Sequence, residues 1–247
     1  MSGHSKWAGI KHKKAVVDAK KGQTFTKVAS EITVAAREAG PDPTSNFRLR
    51  LAMQKAREVN MPADNIDRAI KRGTGEVQGA AIEEIRYEGY GPGGVAVLVD
   101  ALTDNRNRTV AGIRNLFTRS GGSLGEANSV GWMFNRTGLI VVNPAKADPE
   151  TLALEAIELG ADDVQVEPGG VEAYVAPERL ESLRQGLLDA GYEVERAEVT
   201  MQPTSIVEVD EKHAGAVIRL LEALEDDDDV REVHCNAVLP DDVLAEV

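Results

Sequence analysis

From Thr24 the apolar positions Phe25, Val28, Ala29, Ile32, Ala36 and Ala39 recur at helical spacing, and Gly40, Pro41 and Pro43 close that segment. A second helix is expected from about Thr44 to Val59. Its stripe of Leu49, Ala52, Met53 and Ala56 has Phe47 and Leu51 nearly opposite, as in a central helix whose basic stems reach outward. Pro62 opens a third helix, closed by Lys71, Arg72 and Gly73. Upstream, residues 10–20 read as a short basic helix broken at Gly22. The segment 1–78 is thus expected to form a compact helical bundle.

Beyond the Gly-rich stretch 73–79 the period changes. Residues 83–88 and 94–102 read as strands, and 106–119 as a helix through Val110, Ile113, Leu116 and Phe117; a strand is expected around 130–135. Next comes a self-contained pattern: GLIVV, a helix over 149–160, VQVE and EAYVA around a Pro168, Gly169, Gly170 turn, a helix over 177–190 and EVERAEVTMQ. That order, β-α-β-β-α-β, is ferredoxin-like. The chain then supplies IVEV, a helix aligned through Ala214, Val217, Ile218, Leu221 and Leu224, and VREVHCNAV. A strand-helix-strand tail is what the interrupted unit before 136 lacks. The expected fold class is therefore α+β: an N-terminal three-helix domain followed by two ferredoxin-like α/β domains, one inserted in the other. The expected boundaries are 1–78, then 79–136 plus 204–247, with 137–203 inserted.

Charge changes this picture. The 247 residues carry a formal net charge of -13, which argues against a nucleic-acid partner if the charge is evenly spread. It is not. Residues 1–75 hold fifteen basic and seven acidic groups, +8, leaving −21 on the remainder. Such asymmetry points to a nucleic-acid or membrane-surface contact confined to one part. No apolar run is long enough to cross a bilayer, and the basic N-terminus has no apolar core behind it. The single Cys235 suits a reducing cytosol, so a cytoplasmic protein is expected.

Most motifs favour structural readings. Gly89, Gly91 and Gly94 satisfy G-x-G-x-x-G, but a strand follows where a dinucleotide site needs a helix, so they read as a hairpin turn. His4, His12, His213 and His234 sit in no spaced Cys/His cluster, and neither a metal nor a cofactor is expected. Cys235 reads as core, and the acidic run 225–229 as a solvated loop rather than a calcium site. The NRT sequences at Asn107 and Asn135 match glycan acceptors but carry no weight without a secretory signal.

Two stretches resist that treatment. In GHSKWAGIKHKK and the residues behind it, Lys6, Lys11, Lys13, Lys14, Lys20 and Lys21 suit phosphate contacts, with His12 among them. Trp7 either anchors this arm or stacks on a base. Lys27, Arg48, Arg50, Lys55, Arg57, Lys71 and Arg72 extend the basic set across the bundle. The second stretch is the junction at 105–109, where Arg106 and Arg108 stand at a helix N-terminus. It reads equally as a phosphate site and as ordinary capping by Thr103 or Asp104.

With GHSKWAGIKHKKAVVDAKKGQTFTK, NMPADNIDRAIKRGTGE, YEGYGPGGVAVLVDALTDNRNRT and SGGSLGEANSVGWMF in this order, the chain resembles the YebC family over essentially its whole length. The family includes bacterial YebC proteins and the mitochondrial translational activator of cytochrome oxidase. The resemblance implies three domains, a helical one and two α/β ones, one inserted in the other. It also implies a non-catalytic role. Some members are described as DNA-binding transcriptional regulators, and others resemble ribosome-associated factors that help translation through proline-rich stretches.

The basic groups are mostly Lys and dispersed, which suits backbone contacts more than base readout. That favours RNA or the ribosome over promoter DNA, the alternative. A monomer is favoured, and because a specific operator usually calls for a symmetric dimer, a purely monomeric protein weakens the promoter alternative. No membrane and no small-molecule substrate are expected. An enzyme using Asp100, Asp104 and the 105–109 loop is the remote third reading.

Overall fold

The computed structural model describes residues 21–143, 148–167 and 170–240. The helix expected at 10–20 lies outside them. The described residues form two compact units, one of 133–205 and one of 21–132 with 206–240.

In the larger unit, helix α1 (Lys21–Ala39) runs through Gly22 without a break. One glycine costs about 1 kcal/mol in a helix, and the buried stripe downstream outweighs it. Val28, Ile32 and Ala35 of α1 meet Leu49, Ala52 and Ala56 of α2 (Phe47–Glu58) and Ala69 of α3 (Ala63–Thr74) in one core. Asn46 joins α1 to α2. Its Oδ1 accepts from Leu49 N as the N-cap, and its Nδ2 donates to Ala35 O and Gly40 O, each at 2.8 Å. The third helix does not end at Gly73. A Cβ there would lie 2.4 Å from Thr33 O of α1, so this glycine lets two helices touch, while Gly75 (φ +84) supplies the left-handed cap.

Strands β1 (Glu83–Tyr90) and β2 (Ala96–Thr103) form a hairpin whose turn is the Gly91–Gly94 segment. Helix α4 (Arg106–Arg119) leads to the short β3 (Ser123–Leu124). After the second unit come β8 (Val207–Glu208), α7 (Glu211–Glu225), β9 (Val230–Cys235) and β10 (Ala237–Val238). The main sheet has the order β3-β1-β2-β9, and all eight residues of β2 are buried. Strand alternation divides its two faces. Leu102 packs with Val34 of α1, whereas a Cβ on Gly89 would meet Phe117 of α4. The sheet is thus a middle layer with the bundle on one face and α4 on the other.

Two expected strands differ. IVEV shortens to β8, which pairs in parallel with β10 in a separate two-stranded sheet. The run VREVHCNAV is interrupted at Asn236, whose Oδ1 accepts from Ala96 N at 2.8 Å. Of the strand expected around 130–135, Gly131–Met133 form a 3-10 turn and Phe134 and Asn135 open the first strand of the second unit.

That unit contains β4 (Phe134–Asn143), α5 (Pro149–Glu158), β5 (Asp163–Glu167), β6 (Gly170–Val175), α6 (Leu180–Asp189) and β7 (Glu193–Pro203). The order β5-β6-β4-β7, with every pair antiparallel, is the ferredoxin-like sheet. Leu152, Ala156, Leu180, Leu183 and Leu187 come from its helices, and Ile140, Val142, Val171 and Ala173 from its strands; all are buried.

Candidate nucleic-acid interface

The bundle-facing side of the larger unit's sheet carries charge. Arg86 clasps Asp100 with two bonds of 2.7 and 2.8 Å, and Arg231 lies 3.7 Å from Asp100 and 3.3 Å from both Glu84 and Glu232. Burial alone would raise the Asp100 carboxyl, but the Arg86 guanidinium and neighbouring His234 outweigh it and hold it well below the usual carboxylate range. Burial likewise opposes the charge on Arg231, and Glu232, Glu31, Asp100 and Glu84 more than restore it.

Ligand atoms of Asp100, Glu232 and His234 lie within 4.8 Å of one another, a spacing that suits a cation. Two guanidiniums already supply the positive charge, and Arg86 occupies both Asp100 oxygens. The donor set therefore fits an ion-pair network better than a metal. Asp100 and Asp104 are not gathered into one acid-base site. Asp100 faces the bundle with Arg86, while Asp104 meets Arg108 at 3.1 Å. Cys235 is buried, and burial pushes its thiol up to about 11.

Two bundle cations expected to reach outward turn to this network instead. Arg48 pairs with Glu38 at 2.6 Å and Glu84 at 3.0 Å, and Lys55 with Glu31 at 3.3 Å and Glu232 at 3.6 Å. Helical spacing gave the side of α2 on which they lie but not the charged sheet awaiting them. Arg50 donates to Pro43 O at 2.6 Å and lies over the Phe47 ring, Lys27 donates to Glu225 O, and Arg72 donates to Ala80 O at 3.0 Å. Lys71 is exposed and pairs with Asp67. Lys6, Trp7, Lys11, His12, Lys13, Lys14 and Lys20 lie outside the described residues, as does the side chain of Lys21. Arg57 is exposed with no ion pair to a described residue, as is Arg68, which the sequence reading passed over.

At the start of α4 the N-cap is Asn105, whose side chain accepts from Arg108 N. Arg108 also meets Asp229 at 2.9 Å, and Asp229 accepts from Thr109 at 2.6 Å. Protein carboxylates thus engage the Arg108 guanidinium that the junction offered to a phosphate, while Arg106 stays exposed. The rest of α4 differs. Its sequence RNRTVAGIRNLFTR has no acidic residue, alone among the described α-helices. Thr109, Ile113 and Phe117 are buried, and Arg106, Arg114 and Arg119 are exposed without an ion pair among the described residues. Arg114 and Arg119 escaped the sequence reading, although the acid-free composition was visible.

Comparison with known proteins places this arrangement. Residues 5–76 match the family model of the TACO1/YebC protein N-terminal domain, and residues 82–237 that of the TACO1/YebC second and third domain. A relative from Dictyoglomus turgidum is 49% identical over 99% of this chain and 98% of its own length. Another, from Natranaerobius thermophilus, is 50% identical over 99% of each. Both are named probable transcriptional regulatory proteins. The crystal structure of a conserved hypothetical protein from Aquifex aeolicus matches with a TM-score of 0.87 at 48% identity, covering 95% of this chain and 97% of that one.

Proposed function

The chain belongs to the TACO1/YebC family, and on that premise we propose that it is a non-enzymatic, cytoplasmic regulator of gene expression that binds nucleic acid. Its target is RNA or the ribosome, where it acts as a translation factor, including at proline-rich stalls. Helix α4 carries this reading: acid-free and arginine-bearing within a chain portion of net −21, it is a local cationic element that a polyanion can meet. The lysines of the basic N-terminal segment 1–78 supply further phosphate contacts, and the acidic remainder disfavours stray docking. Arginines dispersed around a helix suit a phosphate backbone rather than a base sequence.

Promoter DNA is the second reading, favoured by the relatives' names. Lysate run on a sucrose gradient with and without RNase, beside gel shifts on promoter fragments across a salt series, separates the two. Ribosome co-migration without DNA sequence preference is expected; a tight, sequence-selective DNA shift without ribosome association would reverse the assignment. Changing Arg114 and Arg119 together to Glu should weaken binding and flatten its salt dependence by about two counterions. An unchanged slope removes α4 from the interface.

A further inference from the structure

Two exposed aromatic rings converge on one backbone carbonyl. The Tyr90 hydroxyl donates to Ser129 O at 3.1 Å, and the Trp132 indole Nε1 donates to the same oxygen at 3.3 Å. Trp132 is 70% exposed and Tyr90 36%; among the described residues no other aromatic is exposed to that degree. In a chain only 4% aromatic, a solvent-facing pair is conspicuous.

The support beneath the pair is built. Glu88, buried on β1, accepts from Asn128 N at 2.9 Å, Val130 N at 2.8 Å and Gly131 N at 2.6 Å, while its carbonyl accepts from Gly125 N at 2.8 Å. Val130 is fully buried, and Asn128 takes a left-handed turn at φ +66. Gly122 passes so close to β1 that a Cβ would lie 2.4 Å from Tyr90 O. The 120–132 loop is therefore pinned to the strand that carries Tyr90, and both rings are presented with their polar atoms already bonded.

We propose that Tyr90 and Trp132 form a stacking platform for an unpaired nucleobase of single-stranded RNA. This rests on the nucleic-acid reading above. With the indole N–H and the phenol O–H engaged by the protein, what remains for a ligand is the ring faces, and every base offers a face to match them. A proline-rich peptide, the other partner that aromatic surfaces take, would find neither donor free for its carbonyls.

The test uses the full chain with Trp7→Phe, which leaves Trp132 as the single tryptophan. Oligoadenylate, oligouridylate, an abasic strand, duplex RNA and oligoproline are titrated against its fluorescence. Single-stranded RNA is expected to quench Trp132, with adenylate ahead of uridylate, and the abasic strand and duplex to leave it unchanged. Read by the anisotropy of end-labelled strands, Trp132→Ala should weaken binding of single strands roughly 5- to 100-fold with the salt slope unaltered, and Trp132→Phe should restore part of it. Thermal unfolding of both variants should match the parent, because the ring is exposed and Glu88 holds the loop. If the parent binds RNA and Trp132→Ala binds equally well, the platform is wrong and the nucleic-acid reading survives. If the unsubstituted chain, with Trp7 in place, binds no nucleic acid, both fall. Quenching by oligoproline alone would assign the pair to a peptide.

Discussion

In the ferredoxin-like unit the buried layer of helix and strand residues around Leu183 and Ile140 is aliphatic, whereas the bundle-facing side of the larger unit's sheet carries Glu84, Arg86, Asp100, Glu232 and His234. Aliphatic contacts are non-directional and tolerate sliding. Arg48 on Glu84 and Lys55 on Glu232 fix which helix faces which strand, and Arg86 on Asp100 ties β1 to β2. The difference teaches that the first sheet is stabilised by burial, while the second gives up some of that stability for orientation.

The largest effect should come from the aliphatic layer. Leu183→Ala leaves a cavity and should cost about 2–5 kcal/mol in denaturant unfolding. Asp100→Asn should cost about 2–4 kcal/mol, because it strands Arg86 and Arg231 beside a neutral amide. Exchanging both members of the clasp, Asp100→Leu with Arg86→Met, should recover most of that loss. If the double variant remains as weak as the single one, the charges stabilise rather than orient. Acid titration sharpens the same point. The Asp100 carboxyl is held below its unfolded value of about 4, so its contribution is complete above that pH and disappears as pH falls through the lower folded value. Acid melts of Asp100→Asn should lack this part of the decline seen in the parent. Asn46→Ala, which removes a cap and leaves Ala35 O and Gly40 O without their donor, should cost about 1–3 kcal/mol. Lys71→Ala, which breaks an exposed pair with Asp67, should leave the unfolding midpoint unchanged.

Periodicity was sufficient for α1, for the nearly all-apolar β2 and for the ferredoxin-like order, since each buries a face with its own repeat. It failed where distant residues decide. Gly73 looked like a helix end because glycines usually stop helices, but Thr33 forty residues earlier needs the space. The start of the segment at 130–135 looked extended, yet the carboxylate of Glu88 gathers the amides of Val130 and Gly131 into a turn. In the candidate interface, charge sign was legible and direction was not. Arg48 and Lys55 point at carboxylates that lie far off in sequence, while the exposed arginines of α4 sat within a segment whose total charge concealed them. Trp132 carried a signal that went unused, a large aromatic closing a run of Gly, Ser and Asn.

Cys235 ends β9 as the chain's single thiol, buried and protonated at neutral pH. A thiol-labelling reagent therefore reaches it only when the strand beside β2 comes away, and the labelling rate times the opening of that sheet without any added probe. Bound polyanion that slows this clock would report that docking tightens the sheet beneath α4.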